Sequence, residues 1–185
     1  MKMLTAAAAL LLAGTAHASV TNYFANLAPE AVGATGTGSV SVSFDDTSNV
    51  LTFFSVFSGL SGLTTQSHFH CCIAAPGTTG IAVDSPTLNI PLGFSAGSFG
   101  DALDLNLIGN FNGAFVTASG GTVAGAIARF KAGMDNGQAY LNIHTTRFPG
   151  GEIRGFLQIP EPTSVALTLL ALAALGAVGA RKRSH

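Results

Sequence analysis

Ser39-Val40-Ser41-Val42-Ser43-Phe44, then Asp45-Asp46-Thr47-Ser48-Asn49, then Val50-Leu51-Thr52-Phe53-Phe54-Ser55-Val56-Phe57 is the stretch that decides the fold. Val40, Val42 and Phe44 alternate with three serines, the period of a half-buried strand. The polar five-residue run is turn chemistry. The second run is apolar on both faces, as expected of a central strand. Together they predict a β-hairpin.

Outward from this hairpin the pattern stays mainly β. Residues 19–38 read as an opening strand and a Gly/Thr loop. Thr64 to Cys72 reads as a strand after the turn Gly59 to Gly62, and Ile81-Ala82-Val83 as a short strand. Leu88 to Gly100 carries Pro and Gly and reads as irregular. Leu103, Leu105 and Leu107 alternate with polar residues, in a strand or a polar-faced loop. Val123, Ile127, Phe130 and Met134 recur at helical spacing, which predicts one short amphipathic helix ended by Gly133 or Gly137. Gln138 to Thr145 and Ile153 to Ile159 are strands around the turn Phe148-Pro149-Gly150-Gly151. No internal repeat is present. The sum is a mainly antiparallel β-sandwich or Greek-key barrel with one short helix.

The ends have a different character. Lys2, the apolar core Leu4 to Ala13 and Ala16-His17-Ala18 make a signal peptide, a signal helix over 1–18 with cleavage after Ala18. At the other end, residues 160–185 hold Pro160-Glu161-Pro162, an uncharged apolar run over 163–180, and Arg181-Lys182-Arg183. At ~1.5 Å per residue the run reaches about 27 Å as a transmembrane helix, close to the hydrocarbon thickness of a bilayer. The basic cluster stays cytoplasmic. This tripartite tail resembles the PEP-CTERM sorting signal of Gram-negative bacteria that make extracellular polysaccharide. The resemblance implies export, an inner-membrane-anchored intermediate, and cutting near Pro160-Glu161-Pro162 by an exosortase-type protease, which leaves the protein at the cell surface or in the extracellular matrix. An uncut membrane anchor is the plainer alternative.

Between the ends, 19–159 is one domain's length. It holds Arg129, Lys131, Arg147 and Arg154 against eight acidic residues, a net charge of −4. An acidic body is a poor nucleic-acid binder, so no nucleic-acid partner is expected.

Ser67-His68-Phe69-His70 and Gly137-Gln138-Ala139-Tyr140-Leu141-Asn142-Ile143-His144-Thr145, continued by Pro149-Gly150-Gly151-Glu152-Ile153-Arg154-Gly155, are similar to segments of the chordin-type (CHRD) domain. The resemblance spans roughly 20–159, most of one domain. It implies an extracellular β-fold, in some accounts compared with the Cu/Zn superoxide dismutase sandwich, and no established catalytic activity. Dismutase chemistry needs more His ligands, a bridging one among them, and an Asp; this chain does not supply that set.

The domain keeps three histidines. His68 and His70 share a strand face, and Cys72 would join them. Tyr140, Asn142 and His144 share another. A hairpin centred on Phe148 pairs His144 with Glu152 and Asn142 with Arg154. If the strands are neighbours, His68, His70 and His144 form a three-nitrogen site for Zn²⁺ or Cu²⁺, with Cys72 as a further ligand and Glu152 orienting an imidazole from outside. The plain alternative is three satisfied structural histidines. Cys71-Cys72 has three readings: a vicinal disulfide, a metal ligand beside the His pair, or two separate fates. Gly150-Gly151-Glu152-Ile153-Arg154-Gly155 lacks the Lys-Ser/Thr of a phosphate loop. No Ser-His-Asp order, nucleophile elbow or paired carboxylates stand out. The expectation is therefore a non-enzymatic structural or binding module that meets exopolysaccharide or surface proteins and has no certain cofactor, with copper or zinc binding as the second reading.

Overall fold

A computed structural model describes residues 20–160; the signal segment and the tail beyond Pro160 lie outside the described residues. The hairpin forms as predicted: β2 (Thr37–Asp45) and β3 (Val50–Ser58) pair antiparallel, Val42 opposite Phe53 and Phe44 opposite Leu51. β1 (Val20–Pro29) pairs with β2 on one side and, at its far end, with β8 (Ile153–Phe156) on the other. β4 (Thr64–Cys71), β5 (Ile81–Val83), β6 (Gly97–Asp104) and β7 (Ala139–Thr145) complete one eight-stranded sheet in the order β5-β4-β7-β8-β1-β2-β3-β6, with every pair antiparallel.

The sheet curls until its two halves face each other. Phe53 of β3 and Phe69 of β4 stand near opposite ends of that order, yet their rings meet edge-on at 5.4 Å. Between the halves lies the core, where Val40, Leu51, Leu141, Ile143 and Ile153 are fully buried. The chain crosses between the halves after β3, β5 and β6, which gives the Greek-key character of the architecture.

The helix is α2 (Val123–Asp135). Thr122 caps it by accepting from Gly125 N, and Phe130 and Met134 are its buried face. Phe130 packs on Phe69, 6.2 Å between ring centroids. Gly133 does not end the helix. It lies inside it, where a Cβ would overlap the sulfurs of Cys71 and Cys72. Gly137, at φ +64°, is the residue that takes the left-handed turn after the helix. No described helix is long and apolar enough to cross a membrane.

Three expectations change. β3 is central but not buried on both faces: Thr52, Phe54 and Val56 point outward and are exposed, because among the described residues no second layer covers this half of the sheet. The leucine alternation marks only the end of a strand. β6 starts at Gly97 and stops at Asp104, and Leu107 is exposed. A six-residue helix, α1 (Gly113–Ala118), precedes α2 and is capped by Asn112. It is too short to show a helical period.

Candidate metal centre

The site follows from strand alternation on β4 and β7. Phe69 and Cys71 point into the core, so His68 and His70 point away from it. On β7, Leu141 and Ile143 point inward, which turns Tyr140, Asn142 and His144 outward. In register, His70 stands opposite Tyr140, His68 opposite Asn142 and Gln66 opposite His144. All three histidines are thereby on one face. That face is covered too: His68, His70 and His144 are only 3, 8 and 7% exposed. Over them lie the segment between β4 and β5, Asp84 after β5, and the turn between β7 and β8.

Each imidazole is held by one nitrogen. His70 Nδ1 lies 2.8 Å from Thr79 O, and His144 Nδ1 lies 2.8 Å from Pro149 O. A carbonyl oxygen only accepts, so both Nδ1 atoms carry the proton. His68 Nε2 faces Asp84 Oδ1 at 3.2 Å. His70 Nε2 and His144 Nε2 are therefore lone pairs, and His68 Nδ1 is one in the tautomer that protonates Nε2 toward Asp84. One donor atom of each histidine lies within 4.8 Å of the other two. His68 Nδ1 and His144 Nε2 are 3.3 Å apart. In that tautomer neither has a hydrogen to share; in the other, His68 Nδ1 donates to His144 Nε2. Two ligands of a tetrahedral Zn²⁺ at ~2.0–2.1 Å also stand about 3.3 Å apart. His70 Nε2 is buried with no hydrogen-bond partner among the described residues. A buried acceptor of this kind needs a donor or an electrophile.

Electrostatics keep the trio neutral. Burial pushes His68 down to about 4, against the pull of Asp84 and with the other two imidazoles adding to the drop. Burial also lowers His70 and His144, although the carbonyls they bond oppose it. Neutral imidazole is the metal-binding form.

A second layer braces the first. Tyr140 stacks on His70 at 4.8 Å and 3°. The Arg154 guanidinium lies 5.2 Å from the Tyr140 ring centre and donates to Pro76 O, Gly77 O and Thr78 Oγ1. It thus ties down the segment whose Thr79 carbonyl holds His70. Arg154 also pairs with Glu30 at 3.3 Å, and Glu30 accepts from Asn142 Nδ2. That fixes the Asn142 amide with its Oδ1 turned away from the carboxylate, buried on the face of the histidines and without a partner among the described residues.

The expected pairing of Asn142 with Arg154 is present, but the ladder ends at Ile143 and Ile153. Glu152 is not beside His144. Gly151 turns at φ +124°, Glu152 N donates to Ile143 O, and the carboxylate accepts from Ser61, Gly62 and Thr145. Burial pushes the Glu152 carboxyl up, but these bonds outweigh it and hold it below the usual range. It anchors the turn after β3 instead of a ligand. Cys72 is also outside the cluster: it is disulfide-bonded to Cys71, and its sulfur faces Arg129 O on α2. The carboxylate on the site is Asp84, which the sequence pattern missed. Its position depends on a three-residue strand pairing with β4. The only signal was Ile81-Ala82-Val83 just before it. Of the sorting residues, Pro160 is exposed, and Ala18, Glu161 and Pro162 lie outside the described residues.

Fold and site define a class: an antiparallel Greek-key β-domain with a buried three-histidine cluster on the outer face of one half-sheet. The chain belongs to the CHRD domain family, whose family model matches residues 15–157, and a PEP-CTERM protein-sorting motif matches 158–184. No curated protein and no solved structure matches the chain. The motif makes this an exported protein with a membrane-anchored intermediate and an exosortase substrate, destined for the surface or the extracellular space.

Proposed function

We propose that the exported domain is a non-catalytic metal-binding module of the cell surface or extracellular matrix, holding one Zn²⁺ or Cu²⁺ ion between His68, His70 and His144. The observation that carries this reading is the convergence of three imidazole nitrogens, two of them lone pairs opposite a bonded Nδ1–H, with His70 Nε2 left without a partner among the described residues. Imidazole sets suit zinc and copper. The hydrogen bonds to Thr79 and Pro149 and the facing Asp84 carboxylate are the usual orienting contacts of metal-bound histidine. The near-complete burial of the rings leaves little room for a substrate, which favours a structural ion over a catalytic one. Any contact with exopolysaccharide or surface proteins would then be made by a domain that the ion stiffens.

Thermal unfolding with added Zn²⁺ or Cu²⁺ tests this. An ion at about a hundred times its Kd stabilises by about 2.7 kcal/mol. The wild type is expected to gain stability with metal and His70→Ala to gain none. A wild-type melting temperature unmoved by either ion overturns the reading.

A further inference from the structure

The outer face of β1–β3 carries exposed apolar side chains that the metal site does not use. Phe24, Ser41 and Phe54 form one row across the three strands, and Val56 stands one outward position further along β3. The neighbouring outward positions are Asn22, Ser43 and Thr52, none of them charged. On a domain of net charge −4 these two rows are neutral; the next outward row, Val20, Asp45 and Val50, carries one carboxylate at its edge.

The chain leaves the domain beside this row. Gln158 and Phe24 exchange two backbone hydrogen bonds, 2.8 and 2.9 Å, and Pro160 lines the same groove as Phe24 and Phe54. The uncharged run of the tail begins at Thr163. Three residues reach at most about 11 Å. The headgroup layer of one leaflet is itself ~5–8 Å deep. Phe54 is two strands from Phe24, about 10 Å away.

We infer that, in the anchored intermediate, the Phe24–Phe54 face lies on the lipid surface. The short tether brings it there. Its rings suit the interfacial layer, and the rows that hold Phe24 and Phe54 add no carboxylate to repel anionic headgroups. Release of the domain by cutting at the tail would then uncover this face.

The chain has no tryptophan, so one introduced indole reports alone. Phe54 and Phe94 are each 55% exposed, and Phe94, in the loop before β6, gives a matched control. The full uncleaved chain carrying Phe54→Trp or Phe94→Trp is reconstituted in phosphatidylethanolamine–phosphatidylglycerol vesicles containing lipid brominated in the upper acyl chain. Quenching of F54W at least about twofold stronger than of F94W, with protection from aqueous iodide, is the expected result, and F24W should match F54W. Equal quenching of F54W and F94W overturns the inference. So does F54W protected from iodide yet untouched by brominated lipid, which would indicate a second copy or the tail as the cover.

Discussion

At the scale of single residues, His68 has the most to lose. Its folded-state value of about 4 lies below the 6.5 of an exposed histidine, with burial as the main cause. Between those values the unfolded chain binds a proton that the folded chain refuses. The metal-free protein should therefore be fully stabilised above about pH 6.5 and lose on the order of 3 kcal/mol from this residue as the pH falls to about 4. Urea unfolding across that range checks it, and His68→Gln should flatten the slope; a slope unchanged by the substitution contradicts the assignment. Asp84 acts on the same ring from outside. Asp84→Asn should weaken metal binding by roughly 10- to 100-fold while the domain stays folded, as a competitive chelator titration would show. The same titration on Glu152→Gln should leave metal affinity unchanged, because its carboxylate bonds Ser61, Gly62 and Thr145 and no imidazole. The His-x-His spacing and the alternation through His144 made the trio legible from sequence, since side chains two apart in a strand share a face. Glu152 was misplaced because Gly151 breaks that alternation, and Asp84 was invisible because the three-residue strand that brings it in is too short to show a period.

At the scale of elements, periodic segments were legible and aperiodic ones were not. The hairpin 39–57 and α2 repeat at 2 and 3.6 residues, and both formed where expected. β6 carries glycines and a polar mix, so its start at Gly97 left no period to read. The outward face of β3 looked buried because Phe54 and Val56 are apolar; the sequence pattern carries no information on whether a second layer covers them. α2 closes the core through Phe130, which is fully buried against Phe69. Phe130→Ala should cost roughly 3–5 kcal/mol in chemical denaturation. A near-neutral result would mean that this face of the helix does not pack. Gly133→Val should also destabilise, by about 1–3 kcal/mol, since the added side chain meets both sulfurs of Cys71 and Cys72.

At the scale of the whole molecule, the CHRD domain and the sorting motif divide the work: the motif governs location and the domain carries the site. Replacing Pro160-Glu161-Pro162 by alanines should leave an uncut chain in the inner membrane; intact-mass analysis that finds residues 163–185 still attached to the native extracellular form would contradict processing at that marker. The histidine cluster is independent of this outcome, because β4 and β7 build it within the domain. Its most direct test is metal analysis of mature protein purified, without a metal-affinity tag, from the cells that export it. One equivalent of zinc or copper per chain, absent from His144→Ala purified in the same way, is the expected result. A folded wild-type chain that carries neither metal as isolated, and takes up neither when supplied, would contradict the three-histidine centre.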